Sequence, residues 1–139
     1  MMKINSAKSV SFCACAVLLV QPVFAAPHTP KLGSTERKVI MDAMRKVVGK
    51  GHKKKIVFVV EHLKVENGWA YFAGGFEYAD GTQPSADYMW GNLSALLRYE
   101  KKTWQVKYYV HNTDVIEPEF IEKFPNAPKA IFKRTPPKR

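Results

Sequence analysis

The chain has 139 residues, with 22 Lys and Arg against 12 Asp and Glu, a formal charge of +10 at pH 7 and 46% hydrophobic residues. This composition excludes bulk disorder, and the length fits one compact domain able to bury a core without cross-links. The basic balance favours anionic partners as a class, among them phosphorylated envelope polymers, anionic lipid surfaces, nucleic acid and acidic proteins, without choosing between them.

Residues 1–25 open with Lys3 and Lys8, continue with an apolar stretch from Val10 to Val20, and end in Val23-Phe24-Ala25. That order predicts a cleaved export signal ending at Ala25. The apolar run stops at Gln21-Pro22, short of the roughly 20 residues a membrane-spanning helix needs. Cys13 and Cys15 both lie inside the signal, so the chain from Ala26 onward has no thiol and makes neither a disulfide nor a Cys-based metal site. Cys15 precedes most of the apolar run, which argues against a lipid anchor. Cleavage removes two lysines and no acid, so +10 becomes +8. The expected location is periplasmic or secreted, with no transmembrane span after signal removal.

After a Pro-rich and cation-rich segment (26–33) expected to be flexible, the apolar positions Val39, Ile40, Ala43, Met44, Val47 and Val48 predict a helix from Ser34 to Val48 with one buried face. Ser34 is the expected N-cap, and Gly49 or Gly51 is expected to end the helix in a left-handed conformation. Residues 55–65 read as a strand with Val57, Val59, Leu63 and Val65 on one face and Phe58, Val60, His62 and Lys64 on the other. Glu66-Asn67-Gly68 turns the chain into a second strand, 69–78, whose Gly74-Gly75 suggests a bulge or a close backbone approach. Residues 79–92 form the longest irregular connection. Leu93–Glu100 and Trp104–Asn112 follow as strands joined at Lys101-Lys102-Thr103. In the last strand Trp104, Val106, Tyr108 and Val110 alternate with Gln105, Lys107, Tyr109 and His111, as in a half-covered antiparallel sheet. EPEFIEKF (117–124) reads as a short helix and Ile131-Phe132 as a final plug, ahead of a basic tail at 133–139.

The predicted fold is α+β: one domain over 34–132, with an N-terminal helix packed on a four-stranded antiparallel meander and a short C-terminal helix. Cystatin-like and NTF2-like folds share this layout, an analogy of shape that conveys no function. The pieces RKVIMDAMR (37–45), VFVVEHLKV (57–65), GWAYF (68–72), ALLRYEKKTWQV (95–106), TDV (113–115) and FPNAPKAIF (124–132) resemble an uncharacterised family of small exported bacterial proteins. These motifs are core aromatics and turn residues, so the resemblance supports the fold and implies no catalytic residue.

No constellation for catalysis stands out. His62 and His111 fall on one predicted face and could be neighbours across the sheet, yet no HxH or HxxxH spacing exists, so both read as surface histidines and no metal site and no cofactor is expected. Ser34, Ser85 and Ser94 lack a GxSxG elbow. A carboxylate pair for glycoside hydrolysis could be drawn from Glu77, Asp80 and Asp87 in and beside the long loop, but acids in loops are commonly solvated residues, and that is the better reading. Binding remains. Lys53, Lys54 and Lys55 precede the β-prone window IVFVV, where they serve as gatekeepers against edge pairing, as an anion site, or as both. Tyr88 and Trp90, with Met89 between them, form a candidate apolar patch rimmed by cations, unless Trp90 simply covers an open end of the sheet, the better reading of the two. The expected function is an exported, non-enzymatic binding protein for an anionic polymer or a protein partner. The rivals are a small hydrolase or isomerase with a cavity between helix and sheet, and a secreted effector or inhibitor.

Overall fold

A computed structural model describes residues 26–84, 93–111 and 117–134. Helix α1 (Thr35–Val48) begins where the Ser34 hydroxyl accepts a hydrogen bond from the Arg37 backbone N–H at 3.2 Å, and Glu36 lies in its first turn. Gly49 does not end it in the left-handed region. Its φ is −71°, and the chain tightens into a 3-10 turn over Gly49–Gly51. The buried stripe is Ile40, Met41, Met44 and Val48, rotated toward Met41 and away from the expected Val39, which is 42% exposed. Complete burial of Ile40 and Met44 contributes roughly 1.5–3 kcal/mol each.

Strands β1 (Ile56–Glu66), β2 (Trp69–Tyr78), β3 (Leu93–Glu100) and β4 (Thr103–His111) pair in sequence order as one antiparallel sheet. The meander follows from its turns. Glu66 pairs with Trp69 and Glu100 with Thr103, leaving two-residue loops, Asn67-Gly68 and Lys101-Lys102, all four with positive φ.

Two bulges overturn the expected face assignments. In β1 the register shifts between Val60 and His62, with Glu61 as the extra residue. Ile56, Phe58 and Val60 therefore share a face with Leu63 and Val65, while Val57 and Val59 remain 38% and 44% exposed. Opposite the bulge, a Cβ on Gly74 would overlap the Val59 carbonyl oxygen, so only glycine permits this approach. In β4 the shift leaves Lys107 unpaired, so Trp104 and Val106 face α1 while Tyr108 and Val110 face the opposite side. A strict period of two fails at both places.

The sheet is consequently covered on both faces, not one. Phe72, Leu63, Leu97 and Ala95 pack under α1. On the other face Tyr71, Ala73 and Leu96 are buried beneath Phe120 of helix α2 (Glu117–Lys123) and Ile131 and Phe132 of the 3-10 turn Lys129–Phe132. Rings carry much of that second layer: Tyr71 meets Phe120 edge-on at 5.4 Å and Phe132 at 4.8 Å. At the N-terminal side, His28 bridges to the β1 edge through reciprocal backbone bonds with Val65 of 3.0 and 2.8 Å. No described helix is long and apolar enough to cross a membrane.

Candidate cationic binding site

The lysine run 53–55 connects the 3-10 turn to β1, at the end of the sheet where β2 finishes. Because β1 and β2 pair with Ile56 opposite Tyr78, residues 53–55 are brought beside the turn Ala79–Thr82. The Ala79 N–H donates to the Lys55 carbonyl at 2.9 Å, and Asp80 closes its own turn by accepting from the Thr82 backbone N–H at 2.9 Å. Lys54 joins these parts. Its ammonium lies 2.8 Å from Asp80 Oδ2, donates to Thr82 Oγ1 at 2.9 Å and stands 5.3 Å from the Tyr78 ring centre. The Lys54 bond, with help from Thr82, holds the Asp80 carboxyl well below the usual carboxylate range.

The three predicted lysines therefore differ. Lys54 is committed to the turn. Lys53 and Lys55 are exposed and have no acidic partner among the described residues. Their backbone is fixed on both sides, so they are not a mobile tail. Tyr88 and Trp90 lie outside the described residues. Sequence reasoning missed the locking of Lys54 because it depends on the β1–β2 register. Asp80, read as a candidate acid in the irregular connection, is instead the partner of Lys54.

Behind the lysines, on the α1 face, stand His52, Phe76, Tyr78 and His111. His52 Nδ1 and the Tyr78 hydroxyl are hydrogen-bonded at 3.1 Å, and the His52 ring meets Phe76 edge-on at 4.9 Å. Burial, then the nearby His52, disfavours protonation of His111. The expectation of two surface histidines on one shared face is overturned. The two bulges put them on opposite faces, and His62 is buried where its Nε2–H donates to the Ile131 carbonyl at 2.7 Å. Burial lowers the His62 pKa, only partly offset by that bond. No group of three or more potential metal-ligating side chains occurs among the described residues. His62 and Ser94 are the only buried polar residues described, and both face away from α1, where apolar side chains fill the contact between helix and sheet.

Searches against protein-family models, curated proteins and solved structures find no match to this chain.

Proposed function

We propose that the protein is an exported, non-enzymatic binding protein that takes an anionic polymer of the cell envelope on the rigid cationic end formed around Lys53 and Lys55. One observation carries the reading: Lys54 is fixed to Asp80 and Thr82, so the two flanking ammonium groups are exposed on immobilised backbone with no acidic partner among the described residues. Fixed backbone spares the main-chain ordering cost of meeting a polyanion, while the lysine side chains keep theirs. The leader read in residues 1–25 supports export, and the surplus of positive charge supports attraction at a distance.

The test compares retention of the full chain on immobilised long-chain polyphosphate and on a neutral polymer of similar length. Wild type should bind polyphosphate, release as salt rises from 50 mM toward 300 mM while the Debye length contracts from about 14 to about 6 Å, and ignore the neutral polymer. Lys53→Gln with Lys55→Gln should weaken retention more than Lys54→Gln. Retention independent of salt, or unchanged by the double substitution, contradicts the proposal.

A further inference from the structure

A groove of about 380 Å³ runs between the outer side of α1 and the β3–β4 hairpin. Val39, Asp42 and Lys46 line it from the helix, and Tyr99, Lys102 and Trp104 from the hairpin. Four independent features converge there. Two of the large apolar side chains left in solvent, Val39 at 42% and Tyr99 at 48% exposure, belong to it. The Tyr99 and Trp104 rings, 5.5 Å apart and inclined at 59°, make an open aromatic corner. Its carboxylate is already occupied: Asp42 accepts from Lys38 at 2.8 Å and Arg45 at 2.7 Å, which holds its carboxyl below the usual range. Lys46 and Lys102 have no acidic partner among the described residues.

The fourth feature is backbone strain. Lys101 and Lys102 sit at φ 50° and 64°, in a two-residue loop whose counterpart in the first hairpin is Asn67-Gly68 at 48° and 71°. A left-handed residue with a side chain costs about 1–2 kcal/mol where glycine costs little. Strain of this kind recurs at ligand-binding sites.

From this geometry we infer that the groove binds an acidic saccharide of one or two rings, a pyranose face against Trp104 and Tyr99 and its carboxylate or phosphate at Lys46 and Lys102. The volume lies near the lower end of the roughly 300–1,000 Å³ of small-molecule sites, which fits a small ligand. The inclined rings prevent a flat base from lying against both at once, whereas a pyranose presents C–H bonds in several directions and meets both. The charge balance, two ammonium groups without an acidic partner among the described residues and a carboxylate already neutralised, selects the acidic sugar over the neutral one.

The site is separate from Lys53 and Lys55, so either assignment can fail without the other. Calorimetric titration of the full chain with digalacturonate and with glucose 6-phosphate separates the uronate from the sugar-phosphate source. Neutral digalactose, inorganic phosphate and adenosine monophosphate are the controls. At least one acidic saccharide should bind saturably, about tenfold or more tighter than digalactose and inorganic phosphate. Tyr99→Ala should weaken that binding by about tenfold, as should Lys46→Gln combined with Lys102→Gly. The Lys102→Gly change relieves backbone strain, so weaker binding there does not reflect misfolding. No saturable heat with either acidic saccharide, equal affinity for digalactose or inorganic phosphate, tighter binding of adenosine monophosphate, or indifference to both sets of substitutions overturns the assignment.

Discussion

Two lysine clusters of similar composition have different physical standing. Lys53–Lys55 occupy a connection held by Lys54, Asp80 and the Ala79 N–H, and they flank the exposed valines of an edge strand. Positive charge there has a structural benefit, since it discourages edge-to-edge pairing through Val57 and Val59. Lys101 and Lys102 occupy left-handed backbone that Asn-Gly would adopt more easily. Their position offers no comparable benefit to folding. Charge alone therefore does not identify a site. The clusters differ in how the fold treats them: around Lys54 it fixes the backbone and leaves Lys53 and Lys55 exposed, whereas at residues 101 and 102 it holds lysines in a left-handed loop.

The largest expected effect comes from exporting the lysine pair to the other hairpin. Asn67→Lys with Gly68→Lys is predicted to destabilise the protein by about 2 kcal/mol, read as a lowered midpoint in urea denaturation. A Cβ at residue 68 meets the Arg98 guanidinium at 3.6 Å in ordinary contact, so the loss arises from φ and from added like charge, not from a clash. A loss below about 0.5 kcal/mol would break the comparison. The reverse change, Lys101→Asn with Lys102→Gly, is predicted to stabilise by about 1 kcal/mol by the same measurement, and a destabilisation would show that the lysines support the turn.

Acidification probes the histidines instead. His62 and His111 do respond: burial lowers the pKa of each below its ordinary value. The folded state thus binds fewer protons than the unfolded one. Stability is predicted to be level above the ordinary histidine pKa of about 6.5 and to fall as pH drops from there through the folded values. His62→Gln should flatten much of that slope in denaturation experiments between pH 7.5 and 5. An unchanged slope would assign the response to His111. The smallest effect on folding is expected from Lys53→Gln with Lys55→Gln: no shift in the urea midpoint, but faster aggregation as light scattering grows during concentration.

The fold was largely legible where one local signal sufficed. Ser34 marked the start of α1, Asn67-Gly68 marked the first hairpin, and apolar runs separated by turns gave the strand order. The bulges at Glu61 and Lys107 were not, because IVFVV is apolar on both faces and WQVKYYV mixes aromatic and aliphatic residues, so neither shows where the period slips. Gly74 indicated that a neighbouring strand comes close, but not which residue would be extra. The second cover of the sheet was hidden for a related reason: Phe120, Ile131 and Phe132 are spread over two short elements whose destination depends on long-range packing. At the candidate site, the lysine run was visible in the sequence, while the division between the locked Lys54 and the exposed Lys53 and Lys55 required the register of β1 against β2. The Tyr99–Trp104 corner likewise required knowing that its loop is only two residues long.

Fluorescence anisotropy of labelled long-chain polyphosphate with the full chain, recorded over a salt series for wild type and for Lys53→Gln/Lys55→Gln, tests the central claim most directly. The account predicts saturable binding by the wild type, a steep loss of affinity with added salt, and a weaker and shallower dependence in the variant. Superimposable curves for the two proteins would contradict it.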